Sequence, residues 1–275
     1  MNIQKLIQIL TDAGIDENEA KKEIEILLEH FCSYTPKDIV LGKELTNSEY
    51  EMVREKVNER VVSRMPIQYI TGQAWFMGEY FKVNPSVLIP RSETEILVTE
   101  AIKIIKENGF TGVLDLCTGS GCIACSIAKA TSACVLGTDI SSDALRTALD
   151  NVTKLGINNR AVFRKSDLFE KIRSDEVFDL IVSNPPYIPH GTSLAPELSY
   201  EPRNALFAED NGLAFYKKII KDAPKHLKAG GFIMFELGAG EADEVKKLMD
   251  KSFDSIFIIK DLAGIERVIA GRKTG

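Results

Sequence analysis

Val113-Leu114-Asp115-Leu116-Cys117-Thr118-Gly119-Ser120-Gly121 is the stretch on which the fold turns. A short apolar run with one carboxylate enters a glycine-bearing loop, and Cys122-Ile123-Ala124-Cys125 then opens an apolar helical segment. A strand that passes through such a loop into a helix is half of a βαβ unit, and glycines there let backbone amides approach a ligand closely. Outward from this strand at 112–116, further candidates lie at 133–138, 161–165, 178–182 and 231–236, with helical segments expected between them, the pattern of a parallel sheet. Candidates at 255–260 and 266–270 are joined only by 261–265, too short for a crossover helix, so they should pair antiparallel. The expected architecture is α/β: an open, doubly wound, mostly parallel sheet with one antiparallel strand.

Toward the N-terminus the pattern changes. An amphipathic helix is predicted from about Glu93 to Lys106, ending near Asn108-Gly109. Before it, Trp75, Phe76, Tyr80, Phe81, Val83 and Val87, with Gly78 and Asn84-Pro85 at turns, read as a β-hairpin. The first seventy or so residues carry helical spacing in Leu6, Ile9, Leu10 and Ala13, with Gly14 as a stop. Asp16 with Glu19 and Thr46 with Glu49 have capping-box spacing, and Thr35-Pro36 sets a capping residue before a first-turn proline. The chain therefore divides into a small helical domain at 1–72, a hairpin linker at 73–90 and the α/β domain at 91–275.

At 275 residues two domains are expected, since one domain usually takes roughly 100 to 200. Hydrophobic residues at 44% and charged residues at 27%, with a mean hydropathy of -0.05, belong to an ordinary globular protein and exclude bulk disorder. The longest apolar runs fall far short of the roughly 20 residues that span a bilayer. Met1-Asn2-Ile3-Gln4-Lys5 lacks the continuous apolar stretch of a secretion signal, so a cytoplasmic location is expected. A net charge of -6 and a pI near 5.3 supply no global cationic field, which disfavours a dedicated nucleic-acid binder. The five cysteines have no disulfide-scaffold spacing, and the three histidines are scattered away from Cys122-Ile123-Ala124-Cys125. Reduced thiols and no metal site are expected.

The carboxyl ends of parallel strands are where ligands bind in such sheets. Gly119-Ser120-Gly121-Cys122-Ile123-Ala124 fits the GxGxxA dinucleotide pattern, with Asp139 about twenty residues on, which makes an NAD enzyme a rival reading. Against it, the Asp115 carboxylate at the strand end would repel a pyrophosphate. S-adenosylmethionine has no phosphate and carries an ammonium and a sulfonium, so an acidic mouth attracts it. On this reading Asp115, Cys117, Thr118, Gly119, Ser120 and Gly121 hold one end of the cofactor. Asp139 accepts from the ribose hydroxyls, or else caps the helix that starts near Ser141. Asp167 accepts from the adenine amine and Leu168 walls the base, or else the segment is a turn followed by core residues.

Past the fourth strand stand Asn184-Pro185-Pro186-Tyr187. The prolines remove two backbone donors and fix two φ angles, leaving a rigid loop that presents carbonyls. An amide or arylamine nitrogen is a poor nucleophile because its lone pair is delocalised. Acceptors on both of its N–H groups, here the Asn184 side-chain oxygen and the Pro185 carbonyl, can hold it and favour positive charge on it during methyl transfer. Tyr187 can pack against the planar group. Asn184 also borders the cofactor.

The glycine loop combined with Asn-Pro-Pro-Tyr resembles the class I, Rossmann-like amino-methyltransferases, whose acceptors include adenine N6, guanine N2 and protein glutamine N5. Other segments narrow the resemblance: Pro66-Ile67-Gln68-Tyr69-Ile70-Thr71-Gly72, Trp75-Phe76-Met77-Gly78, Ile89-Pro90-Arg91-Ser92-Glu93-Thr94-Glu95, Tyr200-Glu201-Pro202-Arg203-Asn204-Ala205-Leu206 and Lys260-Asp261-Leu262-Ala263-Gly264. From about Pro66 to Gly271 the chain is similar to release-factor glutamine methyltransferases of the HemK type. That resemblance implies S-adenosylmethionine as cofactor, class 1 peptide chain release factors as partners, and N5-methylation of the glutamine in their Gly-Gly-Gln loop. It also implies that the helical segment is the family's substrate-recognition domain. The chain departs from the family pattern at Cys117, which replaces the first glycine of the loop, at Ser92, where proline is frequent, and at Leu168, where an aromatic residue is frequent. A sister enzyme acting on a ribosomal protein and the nucleic-acid amino-methyltransferases are the alternatives that share Asn-Pro-Pro-Tyr.

Overall fold

The computed structural model describes residues 3–274, so Met1, Asn2 and Gly275 lie outside the described residues. The chain forms two compact units, Met1–Gln73 with Leu194–Tyr200, and Ala74–Ser193 with Glu201–Gly275.

The smaller unit contains helices α1 (Ile3–Asp12), α2 (Glu17–Cys32), α3 (Pro36–Val40), α4 (Asn47–Ser63) and α5 (Ile67–Thr71). Their starts are dictated by side chains. Asp16 accepts from the amides of Asn18 and Glu19, while Thr35 with Asp38 and Thr46 with Glu49 form reciprocal capping boxes that satisfy orphan amides at each end. Leu6, Leu10, Ile24, Leu27 and Val53 fill the core. The segment 194–200 joins this unit through charge. Arg60, 1% exposed, donates to Glu23 at 3.0 Å and to Glu197 at 3.1 Å. A cation so buried is tolerable only with such partners.

The larger unit begins with the hairpin strands β1 (Gln73–Phe76) and β2 (Glu79–Lys82). Helix α6 (Thr94–Asn108) follows and stops at Gly109, whose φ of 65° is the left-handed C-cap. Then come β3 (Gly112–Leu116), α7 (Cys122–Ala130), β4 (Cys134–Asp139), α8 (Ser142–Leu155), β5 (Ala161–Lys165), β6 (Phe178–Ser183) and β7 (Ile188–Pro189). The chain closes with α9 (Arg203–Leu206), β8 (Phe207–Ala208), α10 (Ala214–His226), β9 (Leu227–Glu236), α11 (Ala242–Met249), β10 (Phe253–Lys260) and β11 (Glu266–Lys273).

Seven strands form one sheet in the order β10-β11-β9-β6-β3-β4-β5. Pairs from β5 through β9 are parallel and β11 is antiparallel to both neighbours, so it is the one reversed strand. Alternation along the strands divides the core into two layers. Val113, Leu180 and Val182 pack with α6 and α7, while Leu114, Leu116, Ile181 and Phe235 pack with α10 and α11. Among the described residues no helix is long and apolar enough to cross a membrane.

Two expectations need correction. No helix connects β5 to β6; residues 166–177 are turns. That connection is pinned by side chains instead, with Arg164 bidentate on Glu176 at 2.7 and 2.8 Å, an ion pair that pulls the Glu176 carboxyl down to about 2. In addition, β9 begins at Leu227 rather than near 231, since the polar and glycine residues Lys228 to Gly231 extend it without an apolar signature.

Candidate active site

Strand register builds the site. Leu116 of β3 pairs with Thr138 of β4 and Ser183 of β6, and Asp139 pairs with Lys165 of β5. The residues at and after these pairs, Cys117, Asp139, Ser166 and Asn184, therefore leave the sheet side by side at its carboxyl edge. Chain order runs from β3 to one side and then resumes at β6 on the other, so this edge is the switch point where α/β sheets bind ligands. Ser183 Oγ donates to the Leu116 carbonyl at 2.8 Å and ties the two loops at their roots.

A cavity of about 230 Å³ opens there. Cys117, Gly119, Asp139, Asp167 and Leu168 line it, and Asn184 and Pro186 close it from the β6 side. Sequence reasoning did not single out Ile140, 54% exposed over the cavity, nor Ser86, Val87, Phe215 and Lys218, which also line it. Ile140 had a signal: an apolar residue directly after a strand-end aspartate has no core to fill.

The glycine loop has the conformation its residues allow. Gly119 and Gly121 have φ of 54° and 77°. A Cβ at Gly119 would meet nothing within 4 Å, whereas one at Gly121 would lie 2.9 Å from the Phe163 ring. Cys117 has φ of 60°, in the left-handed region that favours glycine. Burial raises the pKa of the Cys117, Cys122 and Cys125 thiols, with Cys122 pushed up to about 12, so these groups stay protonated and inert. The buried Asn151 anchors the loop from behind, donating to Ser120 O at 2.9 Å and bonding both backbone groups of Lys82.

Asp115, Thr118, Ser120 and Gly121 are not on the cavity wall. Asp115 is fully buried and alternates with Leu114 and Leu116, so its side chain turns into the α7 layer, where Thr118 Oγ1 donates to it at 2.5 Å. Burial pushes its pKa up to about 7. The acidic mouth is formed by Asp139 and Asp167 instead. Asp139 accepts from Gly119 N at 2.9 Å and Ser141 N at 2.8 Å. Each carboxylate oxygen keeps a lone pair for a ligand. Helix α8 is capped by Ser141, whose hydroxyl accepts from Ala144 N, which frees Asp139 from that duty.

On the β6 side Pro185 and Pro186 are buried, and Asn184 and Tyr187 are half-buried. Asn184 Nδ2 donates to Thr94 Oγ1 at 3.3 Å, and Tyr187 Oη donates to Glu236 Oε1 at 3.3 Å. Glu236, 2% exposed at the end of β9, has its pKa pushed up to about 7 by burial, with the Thr94 and Tyr187 hydroxyls acting the other way. Burial and the Glu236 charge raise the Tyr187 phenol well above its ordinary value, so it is no proton acceptor. Three outlying segments meet as well: Arg91 pairs with Glu201, which also accepts from Ile89 N at 3.1 Å, and Glu95 accepts from Met77 N at 2.7 Å.

Residues 93–266 match the family model described as Methyltransferase small domain, and residues 3–72 match the PrmC N-terminal domain. A release factor glutamine methyltransferase of Clostridium acetobutylicum is 41% identical over 245 residues, covering 84% of this chain and 85% of that protein. The protein of the same name from Chlorobaculum tepidum is 38% identical over 279 residues, 96% of this chain and 94% of its own length. The chain belongs to the release factor glutamine methyltransferase family. A methyltransferase from Pyrococcus furiosus, 19% identical with a TM-score of 0.54 over 84% of this chain and 100% of that one, shares the fold of this family member. The chain is thus a methyltransferase with the Rossmann-like sheet of its class and a helical N-terminal region.

Proposed function

We propose that this family member transfers a methyl group from S-adenosylmethionine to the side-chain nitrogen of a glutamine, the one in the Gly-Gly-Gln loop of class 1 peptide chain release factors, in the cytoplasm. The observation that carries the reading is the placement of Asn184 and Pro186 on the same cavity as Gly119 and Asp139. An acceptor for a planar amide and a nucleoside-binding wall thus share one space. The names borne by the relatives support the choice of glutamine and of the release factor.

The cavity fits the cofactor. Open space above the Gly119 backbone admits a polar chain, Asp139 offers lone pairs to a ribose diol, and Ile140, Leu168 and Asp167 offer apolar faces and an acceptor to a flat aminated base. The carboxylates of Asp139 and Asp167 complement a cationic ligand, and the match of residues 93–266 to a methyltransferase model disfavours the NAD reading. When bound, the cofactor supplies an electrophilic methyl carbon on a sulfonium.

The chain's own part is to hold the nucleophile. Asn184 Oδ1 and the Pro185 carbonyl accept from the two N–H groups of the glutamine amide, aligning its nitrogen and stabilising the positive charge that builds there. Proline rigidity keeps both acceptors in place before substrate arrives. The nitrogen's excess proton leaves to water after the carbon–nitrogen bond forms. Tyr187, held by Glu236, screens the loop. The test is transfer of labelled methyl to a purified release factor, beside one whose loop glutamine is replaced by alanine, a ribosomal protein and an adenine-bearing duplex. Label on the intact release factor alone is expected; equal label on the alanine form defeats the substrate assignment.

A further inference from the structure

The link between β10 and β11 is short, Asp261-Leu262-Ala263-Gly264-Ile265, and one side chain builds it. Asp261 Oδ1 accepts from the amides of Ala263 and Ile265, both at 2.9 Å, and Oδ2 accepts from Arg267 Nε at 2.9 Å. Backbone bonds close the same turn, Asp261 N donating to the Ile265 carbonyl at 2.8 Å and Gly264 N to the Asp261 carbonyl at 2.9 Å. An aspartate that occupies the amides of its own turn leaves that backbone little freedom. On this fixed support Leu262 stands at 110% relative exposure, with Ile265 beside it at 38%.

Single exposed apolar side chains are common on protein surfaces, so exposure alone assigns no role. Position does. β11 runs against β9, and the turn before it therefore rises at the carboxyl edge: Val268 pairs with Glu236, and Leu237 N donates to the Arg267 carbonyl at 2.8 Å. β9 pairs in turn with β6, whose end carries Asn184 to Tyr187, and Tyr187 Oη reaches Glu236. Two strand spacings put the turn about 10 Å from that loop. Next to the strand ends of this edge, the other large exposed aliphatic among the described residues is Ile140, which belongs to the cofactor wall.

What stands over this surface follows from the reaction. A glutamine held at Asn184 is part of a polypeptide, and a protein partner of standard size covers about 800 Å² of each surface, a disc of roughly 16 Å radius. Centred on the Asn184 to Tyr187 loop, that disc takes in a turn about 10 Å away whichever way the acceptor is rotated. Inside it, a preformed apolar tip loses little entropy on contact, and removing leucine's area from water is favourable. We propose that 261–265 is a docking turn for the acceptor protein, with Leu262 entering an apolar recess on the release factor beside its glutamine loop. The proposal rests on the reading of the release factor as acceptor.

The test measures the Kd for a purified release factor by calorimetry, together with steady-state methyl transfer, in the full chain. Leu262 packs against nothing that folding needs, so its variants are expected to fold. Leu262→Ser should raise Kd and KM for release factor about tenfold or more, with kcat and the Kd for S-adenosylmethionine within about threefold. Leu262→Met keeps an apolar side chain of similar volume and should stay within about threefold of the parent in every constant. Unchanged affinity in Leu262→Ser overturns the proposal, as does a loss in Leu262→Met equal to that in Leu262→Ser. If the parent labels release factor while Leu262→Ser binds it as tightly, the docking turn alone fails. A parent that neither binds nor labels release factor defeats the acceptor assignment, and the docking turn with it.

Discussion

Replacing Glu236 by glutamine should make the protein more stable at neutral pH, and the structure gives the size of the effect. Burial lifts the Glu236 carboxyl from its ordinary 4.5 to about 7. The folded chain thus binds a proton more tightly than the unfolded chain, so stability from this group is full below about 4.5 and is lost as pH rises through about 7. At about 1.4 kcal/mol for each pH unit between those values, the loss reaches about 3.5 kcal/mol as an upper bound. Glutamine keeps an oxygen for the Tyr187 hydroxyl and removes the charge. The charged groups around it, Glu93 and Arg267, are the same in both proteins, as is the buried Asp115, which is also raised to about 7, so their contributions cancel in the difference. Urea unfolding from pH 4.5 to 8 should show the two proteins alike at the acid end and Glu236→Gln ahead by about 1 to 3 kcal/mol at the alkaline end. Parallel stability profiles would refute the reasoning.

Three further outcomes follow from the geometry. Asn184→Ala should abolish turnover while the Kd for S-adenosylmethionine, read by calorimetry, stays within about tenfold, because its contribution is made in the transition state. Cys117→Gly should bind cofactor within about threefold of the parent and change unfolding free energy by no more than about 1 kcal/mol, since relief of a positive φ is offset by glycine's entropy and the lost side chain; a loss above tenfold in affinity would assign the thiol a contact role. Gly137→Ala should cost about 1 to 3 kcal/mol in urea unfolding, as its Cβ would sit 2.5 Å from the Phe163 ring and 2.8 Å from Thr118 Oγ1.

The sheet was legible because its strands are apolar runs bounded by loops, and the reversed strand because 261–265 is too short for a crossover. Helix starts at Asp16, Thr35 and Thr46 were legible through the capping spacing of their side chains. The turn-only passage from β5 to β6 was not, for its order comes from a long-range guanidinium clamp between Arg164 and Glu176 and not from periodicity. Of the candidate site, Asn184, Asp139 and the glycine loop stood out because strand ends in such sheets carry ligands. The inward turn of Asp115 had no such signal, because both faces of β3 are buried and no pattern in Val113 to Leu116 tells which layer the carboxylate enters. Thr94, Asn151 and Glu236 were invisible as a set: they come from three distant segments and meet the loops only once the sheet has formed. Likewise the Glu197 contact that draws 194–200 to Arg60 spans a separation that no local pattern encodes.

The central claim is that a rigid pair of acceptors delivers one methyl to one glutamine nitrogen. Its most direct measurement is fragment mass spectrometry of a release factor incubated with this enzyme and S-adenosylmethionine. The account predicts a single added methyl on the side-chain nitrogen of the Gly-Gly-Gln glutamine, absent when Asn184 is alanine. A methyl on another residue, or one that still arrives with Asn184→Ala, would contradict it.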